Sequence, residues 1–143
     1  MKDLNELLTL EGKIMQKRRK NLNRFLEKEG LYFGQPKLLK YLSETGGCDQ
    51  NALAKEMECS KASITCSIKR LEKNGLIIKE AAKDDMRRNI IKLTPLGEEK
   101  LKAADEVLKK TLVGQFEDFS EEELDLMYKL YAKIHDSLNK QRF

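Results

Sequence analysis

The chain has 143 residues and a formal net charge of +4, with 36% charged, 40% hydrophobic and 6% aromatic residues. This length suits one ordinary domain over residues 1-143, and the shortage of aromatic residues disfavours a β-sandwich or a deep aromatic pocket. No apolar run approaches the ~20 residues that span a bilayer and no signal-peptide pattern opens the chain, so we expect a cytoplasmic protein with no membrane partner.

The first three predicted elements are helices. Apolar residues recur at helical spacing from Leu4 to Glu29, and the glycine that follows can end this helix. Pro36 suits the first turn of a second helix, which ends at Gly46-Gly47. Asp49 can cap a short third helix from Gln50 to Glu58.

The fourth predicted helix has two faces of different character. Ser60 can cap it and Asn74-Gly75 can end it. Ile64, Ile68 and Leu71 repeat at steps of four and three, so they should face the core. The outer face and its flanks then carry small polar and cationic side chains: Lys61, Ala62, Ser63, Thr65, Cys66, Lys69 and Arg70.

A hairpin follows this helix. Leu76 to Glu80 and Asn89 to Leu93 are rich in β-branched residues, and the polar segment Lys83 to Arg88 between them forms the turn. Basic residues concentrate in this part of the chain: Cys59 to Gly97 contains nine basic and four acidic residues, whereas Glu98 to Phe143 contains eight and eleven. A basic centre beside an acidic region is typical of a surface that binds a polyanion.

Two more helices complete the chain. Thr94-Pro95 begins a fifth helix that runs to about Val113, and Ser120 with Glu123 forms a capping box for the last helix. Apolar residues of this last helix alternate at steps of three and four, which suits packing against another helix: Leu124, Met127, Tyr131, Ile134 and Leu138. The predicted fold class is mainly α (α+β), with about six helices and a small antiparallel β-hairpin.

The fourth helix and the hairpin have the chemistry of a winged helix-turn-helix that binds double-stranded DNA. Small and cationic side chains from Ser60 to Arg70 can approach base edges and phosphates in the major groove. Arg87 and Arg88 at the hairpin tip can enter a minor groove, where negative potential is concentrated, and Asp85 is close enough to orient Arg87. The alternative is a solvated hairpin whose charges serve solubility.

Several segments together resemble the MarR family of bacterial transcriptional regulators, and the resemblance extends from Leu4 to Leu138. The segments that carry it are Leu53-Ala54, Ser60 to Thr65, Leu71 to Ile77, and Asp85 to Gly97, the last matching the family pattern Asp-x-Arg, five residues, Leu-Thr-x-x-Gly. The chain departs from the family at Glu58, where glycine is frequent, and at Cys66, where a larger polar residue is frequent.

The resemblance implies a homodimer with one winged helix-turn-helix per subunit over a palindromic operator. Residues 31-97 would form the DNA-binding region, and residues 1-30 and 98-143 would form helical dimerisation arms. Arg87 would enter the minor groove and Asp85 would steady it. Family members commonly repress transcription and release DNA when a small molecule or an oxidant arrives. Tyr32, Phe33 and Tyr41 could line the pocket for such an effector; the alternative, which the sequence favours, is that they pack in the core.

Other functions follow from different residues. Cys66 lies on the outer helical face and Cys59 precedes the cap, so their oxidation could block DNA binding in a thiol-based redox regulator; otherwise Cys59 would be a small buried residue and Cys66 a surface one. A winged-helix module could also bind an acidic protein instead of DNA. The cysteine spacing, which includes Cys48, and the single histidine, His135, suggest no metal site, and no catalytic motif or cofactor-binding motif occurs. We therefore expect no enzyme and no cofactor.

Overall fold

The computed structural model describes residues 3–142, which contain six helices and two strands. The prediction of a mainly helical fold with an antiparallel hairpin is confirmed. The first helix ends two residues earlier than predicted, and the first strand is shifted by one residue. No helix in the described range is both long and apolar enough to cross a membrane. The elements are α1 Leu4–Glu27, α2 Gln35–Thr45, α3 Gln50–Glu56, α4 Lys61–Lys73, β1 Ile77–Ala81, β2 Asn89–Leu93, α5 Pro95–Gly114 and α6 Glu121–Asn139.

The chain divides into two compact units, Met1–Leu108 and Lys109–Phe143. The first unit contains the hydrophobic core, to which α1 to α5 and both strands contribute. In the second unit the predicted capping box is present, because Ser120 Oγ accepts from Glu123 N and Glu123 Oε2 accepts from Ser120 N. Ten large side chains of the core are less than 2% exposed: Leu26, Leu31, Leu39, Leu42, Leu53, Ile64, Ile68, Leu71, Ile77 and Ile91.

The hairpin is held to the α2–α3 connection as well as to itself. β1 and β2 pair antiparallel from Ile77 opposite Leu93 to Ala81 opposite Asn89. Cys48 extends this sheet by one isolated bridge, since its N–H donates to Ile91 O at 3.1 Å and its carbonyl accepts from Ile91 N at 2.7 Å. The middle of β2 is therefore fixed against the residues that lead into α3.

The start of α5 is joined to the end of α4. Thr94 Oγ1 accepts from Gly97 N at 3.0 Å, which confirms the predicted cap, and donates to Gly75 O at 2.6 Å. Gly97 lies so close to the backbone that a Cβ at this position would overlap the carbonyl oxygen of Leu76. Glycine at 97 therefore permits α5 to begin directly against the α4–β1 connection.

Three helices end in the same hydrogen-bond pattern, but only two of them use glycine. At α1 and α4 the left-handed residues are Gly30 and Gly75, with φ of 72° and 74°. At α3 the left-handed residue is Glu58, with φ of 51°, and it keeps the same two bonds, from Glu58 N to Lys55 O and from Cys59 N to Ala54 O. The turn that lacks the family's frequent glycine thus retains its geometry, at a steric cost to the glutamate backbone.

Replacing Glu58 with glycine should therefore stabilise the fold. Glu58→Gly is expected to raise the free energy of unfolding by about 0.5–1 kcal/mol, because glycine adopts positive φ without steric strain. Urea unfolding at a fixed protein concentration measures this change. As a control, Glu56→Gly at the last residue of α3, where the backbone is helical, should lower the same quantity by up to ~1 kcal/mol. A loss of stability in both variants would contradict the account.

Candidate nucleic-acid interface

The outer face of α4 is open to solvent. Ser60 Oγ accepts from Ser63 N at 3.1 Å, and Ile64, Ile68 and Leu71 are at most 2% exposed, so the predicted cap and the predicted buried stripe are both confirmed. The residues of the predicted outer set that are exposed are Ser60, Lys61, Ala62, Ser63, Cys66, Lys69 and Arg70. They give α4 a surface of small and cationic side chains that can approach a nucleic acid closely.

Thr65 differs from the rest of the predicted set because its hydroxyl is already engaged. The residue is half-buried, its Oγ1 donates to Lys61 O at 2.7 Å, and it accepts from Gln50 Nε2 at 2.6 Å. Gln50 is the first residue of α3, and sequence reasoning did not select it. The bond holds the start of α3 against the first turns of α4.

Arg70 and Arg19 each lie over an exposed aromatic ring. The guanidinium carbon of Arg70 is 5.1 Å from the centre of the Tyr32 ring, and that of Arg19 is 5.4 Å from the centre of the Phe33 ring. The α1–α2 connection is itself ordered, since Phe33 N donates to Asn23 Oδ1 at 2.7 Å. Arg70 thus combines a place on the outer face of α4 with a cation–π contact to the α1–α2 connection.

The hairpin tip presents Arg87 to solvent. Asp85 Oδ1 accepts from the backbone N–H of Arg87 at 3.0 Å and lies 4.0 Å from Arg87 Nε. The Arg87 side chain is 96% exposed. Asp85 therefore orders the backbone of the turn, while the guanidinium of Arg87 projects beyond it.

Arg88, predicted to act like Arg87, has a different environment. Its Nη2 donates to Asp84 Oδ1 at 3.2 Å, and its Nη1 lies 3.6 Å from Asp49 Oδ2. Its side chain is 47% exposed, about half the value for Arg87. The two adjacent arginines thus differ: the guanidinium of Arg87 is solvated, whereas that of Arg88 is paired with two carboxylates.

The three cysteines are free and differ in exposure. Cys59 and Cys66 are exposed, so the interpretation of Cys59 as a buried packing residue is wrong: it follows the Glu58 turn and precedes the Ser60 cap outside the core. Cys48 is half-buried, and burial, followed by the neighbouring charge of Asp49, raises the pKa of its thiol. The possible redox role of Cys59 and Cys66 stays a prediction.

The remaining titratable candidate is His135, which lies in the second unit. Its imidazole is 74% exposed and its Nδ1 is 3.4 Å from Asp136 Oδ1. Within residues 3–142 no cluster of three or more histidine, cysteine, aspartate or glutamate side chains has the arrangement of a metal site. His135 is a surface residue.

Comparisons with known proteins identify the family and the fold. The family model described as the MarR family matches residues 33–88. The HTH-type transcriptional regulator FarR of Neisseria gonorrhoeae is 32% identical over 108 residues, which are 73% of this chain and 74% of FarR. The chain belongs to the MarR family. The alignment with a relative from Thauera aromatica, 30% identical over 92 residues, spans only about half of that protein's length, 53%.

Solved structures show the same fold. A MarR-like transcription regulator from Bacillus cereus superposes with a TM-score of 0.81 at 25% identity, covering 94% of this chain and 96% of that one. A mutant of the regulator MepR from S. aureus, solved bound to an oligodeoxyribonucleotide, has a TM-score of 0.64 at 24% identity and covers 96% and 99%. MarR-family proteins are DNA-binding transcriptional regulators and not enzymes, so this chain is a transcriptional regulator with a DNA-binding fold.

Thiol labelling should separate the three cysteines. At pH 7 to 8 a maleimide should modify Cys48 about tenfold more slowly than Cys59 and Cys66, because burial limits access and its raised thiol pKa lowers the thiolate fraction. Mass spectrometry of the peptides over time measures the three rates. In denaturant the rates should converge, and a bound duplex should protect Cys66 most. Fastest labelling at Cys48 in the folded protein would contradict the assignment.

Proposed function

We propose that this regulator is a homodimeric repressor that binds a palindromic operator and is released by a small-molecule ligand. Residues 31-97 form the DNA-binding region, in which α4 enters the major groove and the hairpin is a wing that enters the minor groove. The observation that carries this proposal is the placement of two cationic elements, the outer face of α4 and the exposed Arg87, on one rigid frame. Cationic side chains on both elements can neutralise phosphates on either side of a groove.

The residues proposed to contact DNA belong to these two elements. Lys61, Lys69 and Arg70 supply positive charge for phosphates or base edges, and the small residues near the start of α4 allow close approach to the groove. Asp85 acts indirectly, by ordering the turn that presents Arg87. The small residues near the start of α4 are Ser60, Ala62, Ser63, Thr65 and Cys66.

Exposed apolar side chains on α1 and α6 support the homodimer, with residues 1-30 and 98-143 as its helical arms. On α6 no residue is buried in the single chain, although the helix carries a broad apolar face. Exposed apolar helix faces of this kind are typical of interfaces between subunits. The large apolar residues that are at least 38% exposed are Leu4, Leu7, Leu8, Leu10, Ile14, Met15 and Phe25 on α1, and Leu124, Leu126, Tyr128, Leu130, Tyr131, Ile134 and Leu138 on α6.

The α1–α2 connection supports a place for an effector. Tyr32 and Phe33 are 46% and 51% exposed, and each has a guanidinium over its ring, a setting that suits an aromatic or anionic molecule. Tyr41 packs against the core instead, and burial raises the pKa of its phenol. Because the guanidinium of Arg70 lies over the Tyr32 ring, a ligand at Tyr32 would lie next to a residue of α4.

Loss of the exposed wing arginine should weaken specific binding. Arg87→Ala is expected to reduce affinity for a specific duplex about tenfold, because one minor-groove cation is removed. Arg87→Lys keeps the charge but not the planar guanidinium, so it should fall between wild type and Arg87→Ala. Fluorescence anisotropy measures affinity, and sedimentation equilibrium should show an unchanged oligomeric state. Equal affinity of all three proteins would refute the wing assignment.

Selection of bound sequences from a random duplex pool should reveal the symmetry of the operator. For a two-fold dimer we expect two inverted half-sites with centres about one helical turn, roughly 10 base pairs, or a multiple of it apart. Sedimentation of the protein at micromolar concentration should give twice the mass of one chain. A monomer, or a selected site without inverted repeats, would rule out the dimeric arrangement.

A further inference from the structure

Two adjacent residues at the start of α3 hold side chains from both DNA-facing elements. Asp49, the residue that caps α3, pairs with Arg88 of the wing through Oδ2 and Nη1 at 3.6 Å. Gln50, the next residue, donates from Nε2 to Thr65 Oγ1 of α4 at 2.6 Å. The wing and α4 are thus linked through neighbouring positions on a third element.

The Asp49 end of this link is fixed. Its Oδ1 accepts from the backbone N–H of Ala52 at 2.8 Å, which leaves Oδ2 for the guanidinium. The side chain of Asp49 is only 28% exposed. Because this carboxylate is fixed by its bond to the helix N-terminus, it can hold a cation in one orientation.

The Arg88 end is fixed as well. Its Nη2 lies 3.2 and 3.3 Å from the two carboxylate oxygens of Asp84, so the guanidinium bridges Asp84 and Asp49. Its backbone closes the turn, because Arg88 O accepts from Ala82 N at 2.8 Å and Arg88 N donates to Asp85 O at 3.1 Å. Arg88 therefore closes the turn of the wing through its main chain and ties that turn to the N-cap of α3 through its side chain.

We propose that Arg88 is a positioning residue, which holds the wing at a fixed distance from α4 and does not itself bind DNA. This inference rests on the proposed function, in which α4 and the wing enter adjoining grooves. One guanidinium with two carboxylates has a net charge of −1, so the cluster of Arg88, Asp84 and Asp49 does not attract phosphate as a unit. To reach a phosphate, Arg88 would have to leave both of its partners.

The link between the wing and α4 would allow both elements to contact DNA at the same time. Two elements fixed at the spacing of the grooves bind without the entropy cost of ordering one of them during association. A wing released from α3 can still meet the duplex, but each encounter must order it again. Arg88 should therefore contribute to specific binding, which needs both grooves at once, more than to nonspecific binding.

The test compares charge-neutral variants of the link in the full-length protein. Arg88→Gln removes the cation, and Asp49→Asn removes its carboxylate while keeping an oxygen that can cap α3. The matched control is Glu72→Gln, which removes one negative charge from an exposed position on α4. Thermal unfolding verifies that all variants fold, and anisotropy against the selected duplex and a random duplex at several salt concentrations gives affinity and its salt dependence.

The positioning role predicts that Asp49→Asn and the control Glu72→Gln change the affinity for DNA in opposite directions. Loss of a negative charge alone should strengthen DNA binding, as expected for Glu72→Gln. If Arg88 positions the wing, Asp49→Asn should instead weaken specific binding by about threefold to fivefold, as Arg88→Gln does, and the double variant should be no weaker than either single one. Binding to the random duplex should change less, and the salt slope should be unchanged in Arg88→Gln. Arg88→Lys, which can pair with one carboxylate, should recover part of the loss.

The contrary result is equally defined. If Arg88→Gln lowers the salt slope by about one and Asp49→Asn strengthens binding like the control, Arg88 contacts a phosphate directly and the positioning role is overturned. That outcome leaves the proposed function intact, because the wild type still binds DNA. Wild-type protein that binds no duplex even at low salt would overturn the proposed function, and this inference with it.

Discussion

The joint between α4, β1 and α5 is the constraint on which the rest of the first unit depends. Leu76 N donates to Leu71 O at 2.9 Å, Thr94 N donates to Leu76 O at 3.1 Å, and the Thr94 hydroxyl donates to Gly75 O at 2.6 Å. Gly97 completes the joint, since it has no side chain to separate α5 from the carbonyl of Leu76. The last turn of α4, the first residues of the wing and the start of α5 therefore share one set of backbone bonds. Their mutual directions cannot change independently.

Charged side chains near the wing order its turn and hold Arg88, in addition to giving the surface a positive potential. Three aspartates lie in or beside the turn of the wing, where each would reduce the attraction of the surface for DNA. Asp85 orders the turn, and Asp84 and Asp49 hold Arg88, so all three are used to fix geometry. The wing thus gives up part of its positive potential and gains a defined backbone geometry in the turn that carries Arg87. That exchange favours specific binding, which depends on geometry, over nonspecific binding, which depends mainly on charge.

Local features of the fold were predictable from the sequence, whereas long-range pairs were not. A cap depends on residues within three positions of each other, and the caps at Asp49, Ser60, Thr94 and Ser120 are all present. The pairing of Asp49 with Arg88 depends on how the hairpin folds back onto α3, and no local pattern encodes it. Hence Arg87 and Arg88 looked equivalent. The same limit applies to other contacts between distant residues: Gln50 with Thr65, Tyr32 with Arg70, and Cys48 with Ile91.

In the second unit, α6 gains little stability from burial against other parts of its own chain. α6 has 19 residues and none of them is buried, yet most of the stability of helices in proteins comes from packing of an amphipathic face. Its capping box contributes about 1 kcal/mol, which is small beside the roughly 1.5–3 kcal/mol gained when one leucine-sized side chain is buried. The spacing of Leu124, Tyr131 and Leu138 suits a facing helix. A second subunit would bury these residues together, so that association and the order of this helix would depend on each other. DNA binding by two winged elements would then follow from the same interface that stabilises α6.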